Sequence, residues 1–370
     1  MTPKTKVKFI NGGNTLFFAT LKKRVDGYFK EKNISKHANG VMIVKTIVML
    51  STYLLPFFLI IIFHPPFWLA LVLWLIMGLG LAGVGMSVMH DGNHGAYSSN
   101  KYINYIMGHA LNLLGASTFS WKLQHNVLHH TYTNVTHLDD DVSDKFMFRF
   151  SPHLNVRVFH HLQRIYALAF YGLLTFHWVI FKDFVQFIKY TRNGVNTNTS
   201  SQNWVTLSNI ILLKLVYFSA ILIAPVLLFG FQFYQVLSGF LLMHFGAGII
   251  LTLAFQLAHS VEGTSYPMPN ESGIIENDWA IHQLNTTVNF SRDNKFLSWY
   301  LGGLNYQVEH HLFPKISHIH YPSISGIVKQ TAEDFNIPYL ENKSLREALR
   351  SHFAVLEKLG KLPDINEALA

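Results

Sequence analysis

His125-Asn126-Val127-Leu128-His129-His130 puts three imidazoles into six residues. With 21 histidines in 370 residues, adjacency alone decides little. His90 and His94 lie upstream, however, and His310 and His311 far downstream. On a helix, His90/His94 and His125/His129 are i,i+4 pairs, so each pair projects from one face. Three such clusters read together as a polyhistidine metal centre, and the rest of the chain is read as what builds it.

Half of the residues are apolar and 14% are charged, with a mean hydropathy of +0.22. That balance belongs to the membrane class. Cysteine is absent, which excludes disulfides, iron–sulfur clusters, thiolate zinc sites and cysteine nucleophiles. A metal here is held by nitrogen and oxygen alone. The net charge of +8 does not indicate a nucleic-acid partner, because Lys and Arg collect beside apolar runs, as they do in proteins facing an anionic membrane surface.

Residues 1–40 form a basic segment with Phe17, Phe18, Leu21, Val25 and Phe29 at roughly helical spacing, expected as an amphipathic helix on the membrane surface. Spans are expected at about 41–63, 67–89, 209–230 and 233–258, each long enough to cross the hydrocarbon core. They pair into two hairpins, the first turning at His64-Pro65-Pro66. The second span runs into His90 and the fourth into His259. No Lys or Arg occurs between 46 and 100 or between 215 and 291, so both hairpin tips lack positive charge and the histidines fall on the cytoplasmic side. Lys45 and Lys214, near helix ends, are expected to snorkel. Ile165–Phe181 is apolar but flanked by Arg164 and Lys182. If it crossed the bilayer, the 125–130 and 310–311 clusters would be on opposite sides, so it is read as interfacial or re-entrant, as is 102–116. The fold expected is an all-α integral membrane protein: a membrane domain over 41–325 and a helical cytoplasmic cap, closing with 326–370. In that cap Ser344 and Glu347 make a capping-box pattern for a helix ending at Gly360.

Eight histidines (90, 94, 125, 129, 130, 259, 310 and 311) exceed what one ion accepts, about four to six ligands, so two metals fit the count. Imidazole suits iron, copper, zinc and nickel, and ligand type alone does not choose. A zinc hydrolase would want His-Glu-x-x-His, and a ferritin-like site paired Glu-x-x-His; neither occurs. What remains is a histidine-rich di-iron centre at the membrane surface, set to activate O2 against a lipid chain.

His90-Asp-Gly-Asn-His94, the 125–130 stretch and Gln307-Val-Glu-His-His311 resemble the three histidine boxes of the membrane fatty-acid desaturases. Thr133-Asn134 and Asp139-x-Asp141 follow the second box as in that family, and the run 303–314 is similar to the third box of its front-end subgroup, where Gln replaces the first His. The resemblance covers about residues 40–325. It implies two iron ions, O2 as co-substrate, an external electron source and removal of two hydrogens from a fatty-acyl chain carried on CoA or a membrane lipid. It makes His259 a further ligand and Gln307 a ligand or close neighbour of the metals. Asp91, Asn134, Asp139 and Asp141 are then the groups that orient the ligands. No His-Pro-Gly-Gly haem motif is present, so electrons are expected from a separate ferredoxin- or cytochrome b5-like carrier. His137 stands where the family usually has Gly, which leaves open an extra weak ligand; His282 is the best candidate outside the boxes. Two other readings remain: a di-iron lipid or alkane hydroxylase, and, from a different class, a membrane metal-ion transporter or sensor.

The orientation is open to test. In a single-cysteine labelling series, positions 64 and 231 should react only from outside, and external labelling of position 140 would refute the arrangement.

Overall fold

A computed structural model describes residues 7–10 and 16–363. Nearly all of its regular structure is helix. The only strands among the described residues are two-residue parallel pairings, Lys8–Phe9 with Ile274–Ile275 and Asn289–Phe290 with Glu341–Asn342. Four helices are long and apolar enough to cross a membrane: Gly40–Phe63, Phe67–His94, Ser200–Phe229 and Phe233–His259. The chain is thus an all-α membrane protein with four spans. Their outer faces remain apolar and exposed, as at Leu55, Phe58, Ile62, Leu212, Leu215 and Leu227, as expected of helices that face lipid. The third span starts at Ser200 rather than near 209 because Thr199 and Gln202 cap it reciprocally: the Thr199 hydroxyl accepts the Gln202 N–H and Gln202 Oε1 accepts the Thr199 N–H. The ambiguous segment is not one straight helix, since Val158–Tyr171 and Leu174–Arg192 are bent by 66° at their junction. Residues 102–116 hold the short helices Lys101–Gly108 and Ala110–Leu113.

The structure divides into two compact units. One consists of Ala38–Leu123 and Leu168–Leu253 and holds most of the spanning segments. Its helices pack through small residues, as membrane helices do. A Cβ on Gly80 would lie 2.3 Å from the Tyr53 backbone nitrogen, and one on Gly78 would lie 2.6 Å from the Met243 carbonyl. The two lysines expected to snorkel are buried instead. Lys45 has Asp91 as its counter-charge. Lys214 donates to the carbonyls of Gly115 (2.6 Å) and Trp178 (3.0 Å) and pairs with Asp183, which also accepts the Ser117 N–H (3.0 Å). Internal oxygens bring these ammonium groups inward, so no excursion to the interface is needed.

The other unit comprises the described parts of Met1–His37, Gln124–Ala167 and Ala254–Ala370. Its core corrects the reading of the N-terminal segment. The helix Leu16–Glu31 forms where expected, but Phe17, Leu21, Val25 and Phe29 are buried among Ile324, Val328, Ala332 and Leu312, so protein covers the apolar face. Arg24 pins the helix from its polar side through Thr331 (3.0 Å) and Asp334. The last helix, Leu345–Lys361, opens at Ser344, whose hydroxyl accepts the Glu347 N–H (3.2 Å). Glu347 returns the contact to the Lys343 N–H, one residue before the cap. Buried Arg149 donates to the carbonyls of Leu154, Leu359 and Leu362, and Gln163 to that of Leu356, which docks this helix on the unit.

Breaking the buried Lys214–Asp183 pair strands a carboxylate among apolar helices. Lys214→Met should cost about 3 kcal/mol, and Lys214→Met/Asp183→Asn should recover most of it. Thermal denaturation in detergent checks this; an unchanged Tm for the single variant would show that the pair does not hold the unit together.

Candidate metal centre

The second histidine cluster does not sit on an α-helix. Residues Leu123–His129 form a π-helix that passes into a short α-helical turn at His130. In an α-helix His130 would point roughly 140° away from His125. The i→i+5 pattern of a π-helix brings residues five apart back over one another. As a result His125 and His130 approach with their Nε2 atoms 3.2 Å apart, and His129 flanks the same side. All three are buried.

Two further elements bring imidazoles to this cluster. The helix Gln307–Leu312 presents His310 and His311, and His259 ends the helix Phe233–His259. Ring centroids lie 4.7 Å apart for His129/His259, 4.9 Å for His129/His311 and for His259/His311, and 4.4 Å for His130/His311. Two overlapping groups have ligand atoms within 4.8 Å of one another: His129, His259 and His311, and His130, His310 and His311. In the other unit His90 and His94 stand on the helical turn Met89–His94, with rings 4.7 Å apart and each 5.8 Å from Trp121. That turn follows a second π-helical stretch, Val84–Val88.

The hydrogen bonds fix which nitrogen faces inward. His129 donates Nδ1–H to Asp139 (3.0 Å), with Asp141 3.3 Å away. His259 donates Nδ1–H to the Thr286 carbonyl (3.2 Å), and His311 donates to Gln283 Oε1 (2.8 Å). Three Nε2 lone pairs are therefore left to converge in a buried space. His129 Nε2 has no hydrogen-bond partner among the described residues, nor has Gln307 Oε1. The Gln307 amide nitrogen lies 2.9 Å from His259 Nε2 and 3.3 Å from His311 Nε2. Turning that amide over would put an oxygen donor in the same place. Convergent neutral lone pairs, an orphaned carbonyl oxygen and no thiolate make a nitrogen–oxygen donor set that fits a divalent transition metal. Burial opposes charging His129, but Asp139 and Asp141 outweigh it and push its pKa up, so the local potential favours a cation.

Residues outside the boxes hold this arrangement. Gln283 bridges two boxes: its Oε1 accepts from His311 and Thr133, while its Nε2 donates to the His130 carbonyl (3.2 Å). Asn134, with φ +60°, donates its backbone N–H to Asp139 and its side-chain amide to the His259 carbonyl (3.0 Å). Tyr321 lies 3.2 Å from His310 Nδ1. Behind the third box, buried Glu309 accepts from Asn289 and Tyr339 (2.8 Å each), while Asn289 Oδ1 accepts the Val308 N–H. Burial pushes the Glu309 carboxyl up to about 6 in spite of these donors.

Measured against the sequence reading, the unit built around the second box gathers His125, His129, His130, His259, Gln307, His310 and His311, with Asp139, Asp141 and Asn134 beside them. His90, His94 and Asp91 are buried together on the first box. His137 is exposed with φ +72° and belongs to none of these groups. His282 is buried against Phe9 (5.0 Å) and is likewise outside them. The sequence missed Gln283, Tyr321 and Glu309. Gln283 is the residue after His282, but an amide beside a candidate ligand carries no pattern of its own.

Fold and site together define a helical membrane protein with a histidine-rich site suited to a metal. Residues 66–343 match the sequence profile described as Fatty acid desaturase. The chain is 33% identical to an sn-1 linoleoyl-lipid 6-desaturase from Arthrospira platensis, covering 98% of both chains. It is also 33% identical to the protein of that name from Synechocystis sp. (93% of this chain, 96% of the relative), and 35% identical to an acyl-lipid (8-3)-desaturase from Physcomitrium patens (96% and 74%). The chain belongs to the fatty acid desaturase family. It is a fatty-acyl desaturase, and the hydroxylase and transporter readings fall away.

Gln283→Leu removes the acceptor that orients His311 and should weaken metal binding about 10- to 100-fold, while Gln283→Glu keeps an acceptor and most of the affinity. Titration of the apo-protein with metal, read by metal content after desalting, checks this. Parent-like affinity in the Leu variant would refute the orienting role.

Proposed function

We propose that the chain inserts a cis double bond into an already unsaturated C18 acyl chain esterified in a membrane lipid, between the existing double bond and the carboxyl end. The linoleoyl-lipid 6-desaturases match it over almost their whole length, whereas the (8-3) relative is longer, and this favours a linoleoyl substrate and the 6-position. His90, His94, His125, His129, His130, His259, His310 and His311, with Gln307, would hold two iron ions. The observation that carries this reading is the convergence of His129, His259 and His311, with Gln307 against the last two and all three Nδ1 protons already committed.

Bound iron would supply the reductive activation of O2 that removal of two unactivated C–H hydrogens requires. The chain's own residues keep the imidazoles aimed, through Asp139, Thr286 and Gln283, and keep water from the site by burying it. Reducing O2 to water takes four electrons, and removing two hydrogens from the acyl chain yields two. The other two must come from a separate carrier, for which a ferredoxin- or cytochrome b5-like protein is proposed. The histidines would face the cytoplasm, where such a carrier is found.

Expression in a host fed linoleate, followed by mass-spectrometric location of the new bond within intact lipids, tests the substrate. A new bond at the 6-position in glycerolipids is expected; product confined to the acyl-CoA pool would overturn the lipid assignment. Metal analysis of the same purified protein should give two irons per chain. Gln307→His should retain them, and Gln307→Ile, similar in bulk but without a donor atom, should lose iron and nearly all turnover. One iron per chain in the parent, or full iron in the Ile variant, would sink the ligand set.

A further inference from the structure

A cleft of about 760 Å3 lies in the histidine-bearing unit, away from the boxes, between the last helix and the start of the bent segment. Leu345, Leu349 and Phe353 give it an apolar wall, and Arg164, Arg346 and Arg350 line it alongside Glu357. Glu357 is already engaged by Arg164 and by Lys361 (2.6 Å). Arg346 and Arg350 enter no ion pair or hydrogen bond among the described residues.

Helix stability does not explain the last two. Arg346 stands in the first turn of Leu345–Lys361, where the helix dipole disfavours a cation. Arg350 follows it at i+4, a like-charge spacing that also weakens a helix. A bound anion would relieve both conflicts. The surroundings say what kind of anion. Close to Arg164 in the chain, Val158, Leu162 and Ile165 are 89%, 55% and 79% exposed, and they belong to the bent stretch that is apolar enough for a membrane. An anion site beside exposed apolar surface fits an amphipathic ligand. The volume suits a glycerophosphate headgroup with the upper part of its chains and is far larger than one phosphate needs.

We propose that this cleft binds the phosphate headgroup of an anionic bilayer lipid, with Arg346 and Arg350 on the phosphate and the Leu345/Leu349/Phe353 wall against the acyl chains. The site is separate from the histidines and goes beyond the desaturase reading, anchoring this unit to the membrane surface.

Native mass spectrometry of the full chain released from micelles tests this, with phosphatidylglycerol and phosphatidylcholine as probes. The parent should retain phosphatidylglycerol preferentially. Arg346→Gln/Arg350→Gln should lower that retention about thirtyfold, as expected for removing two arginines from an anionic surface, with an unchanged Tm in phosphatidylcholine micelles as the folding control. Glu357→Gln removes the one carboxylate and should increase retention. Equal retention by parent and double variant would overturn the proposal, as would complete displacement by excess inorganic phosphate, which would mark a simple anion site. Unchanged lipid retention with loss only of coupling to the electron donor would assign the arginines to an acidic protein and also overturn it.

Discussion

Convergence of imidazole lone pairs in a space closed to water is the constraint on which the centre depends. Three Nε2 lone pairs brought together repel one another and lose their water, a cost that the Gln307 amide eases at two of them and that a bound cation would offset. The arrangement persists because every inward nitrogen is fixed from behind. Asp139 holds His129, the Thr286 carbonyl holds His259, and Gln283 holds His311. Each of these groups is in turn tied to backbone: Asp139 to the N–H groups of Asn134 and Asp141, and Gln283 to the His130 carbonyl. The free-energy cost of gathering these imidazoles is thus carried by a polar scaffold built largely from loops and short helices, where the backbone can turn a side chain to any required direction.

The same constraint accounts for the helix geometry at the boxes. A regular α-helix can bring His125 and His129 to one face but sends His130 elsewhere. A wider turn is the least costly way to recruit the third ring, since it forgoes the α-helical hydrogen-bond register over one or two turns only. Val84–Val88, just ahead of His90, shows the same departure. The i,i+4 spacing in the sequence therefore pointed to side chains that do lie together, through an incomplete geometry. Spacing reports which side chains can be neighbours; it does not report the local winding, which is set by the tertiary contacts that the wider turn makes possible.

Legibility followed the physics of each signal. The spans were plain because burial in lipid demands long uninterrupted apolar runs, and their ends were displaced where polar residues carry a helix past its apolar part, at Ser200 behind the Thr199/Gln202 caps and at His94. The box histidines were plain because few other uses put so many imidazoles at ligand spacing. The N-terminal helix was recognised as amphipathic, but the pattern of Phe17, Leu21, Val25 and Phe29 does not distinguish a lipid cover from a protein one; the partner lies some 300 residues away in Tyr321–Asp334. Lys45 and Lys214 were misread for a related reason, since internal carboxylates and carbonyls arrive only with the folded structure.

His137 and Gln283 show two ways in which a sequence misleads about a site, by a false candidate and by a missed one. The replacement of a customary glycine by His137 invited a ligand role, yet the backbone there has φ +72°, a conformation that glycine adopts freely and a side chain only under strain. The demand at that position is for a turn, and the imidazole is carried outward by it. Gln283 is the opposite case: its identity is unremarked in the sequence, and its value comes entirely from standing within hydrogen-bond reach of two boxes and Thr133 at once. An amide suits that place because it accepts with one end and donates with the other. A carboxylate there could serve His311 but would turn an oxygen toward the His130 carbonyl, and a hydroxyl could not reach both. The residue that locks the second box to the third is therefore chosen by the geometry between them, which exists only once both are in place.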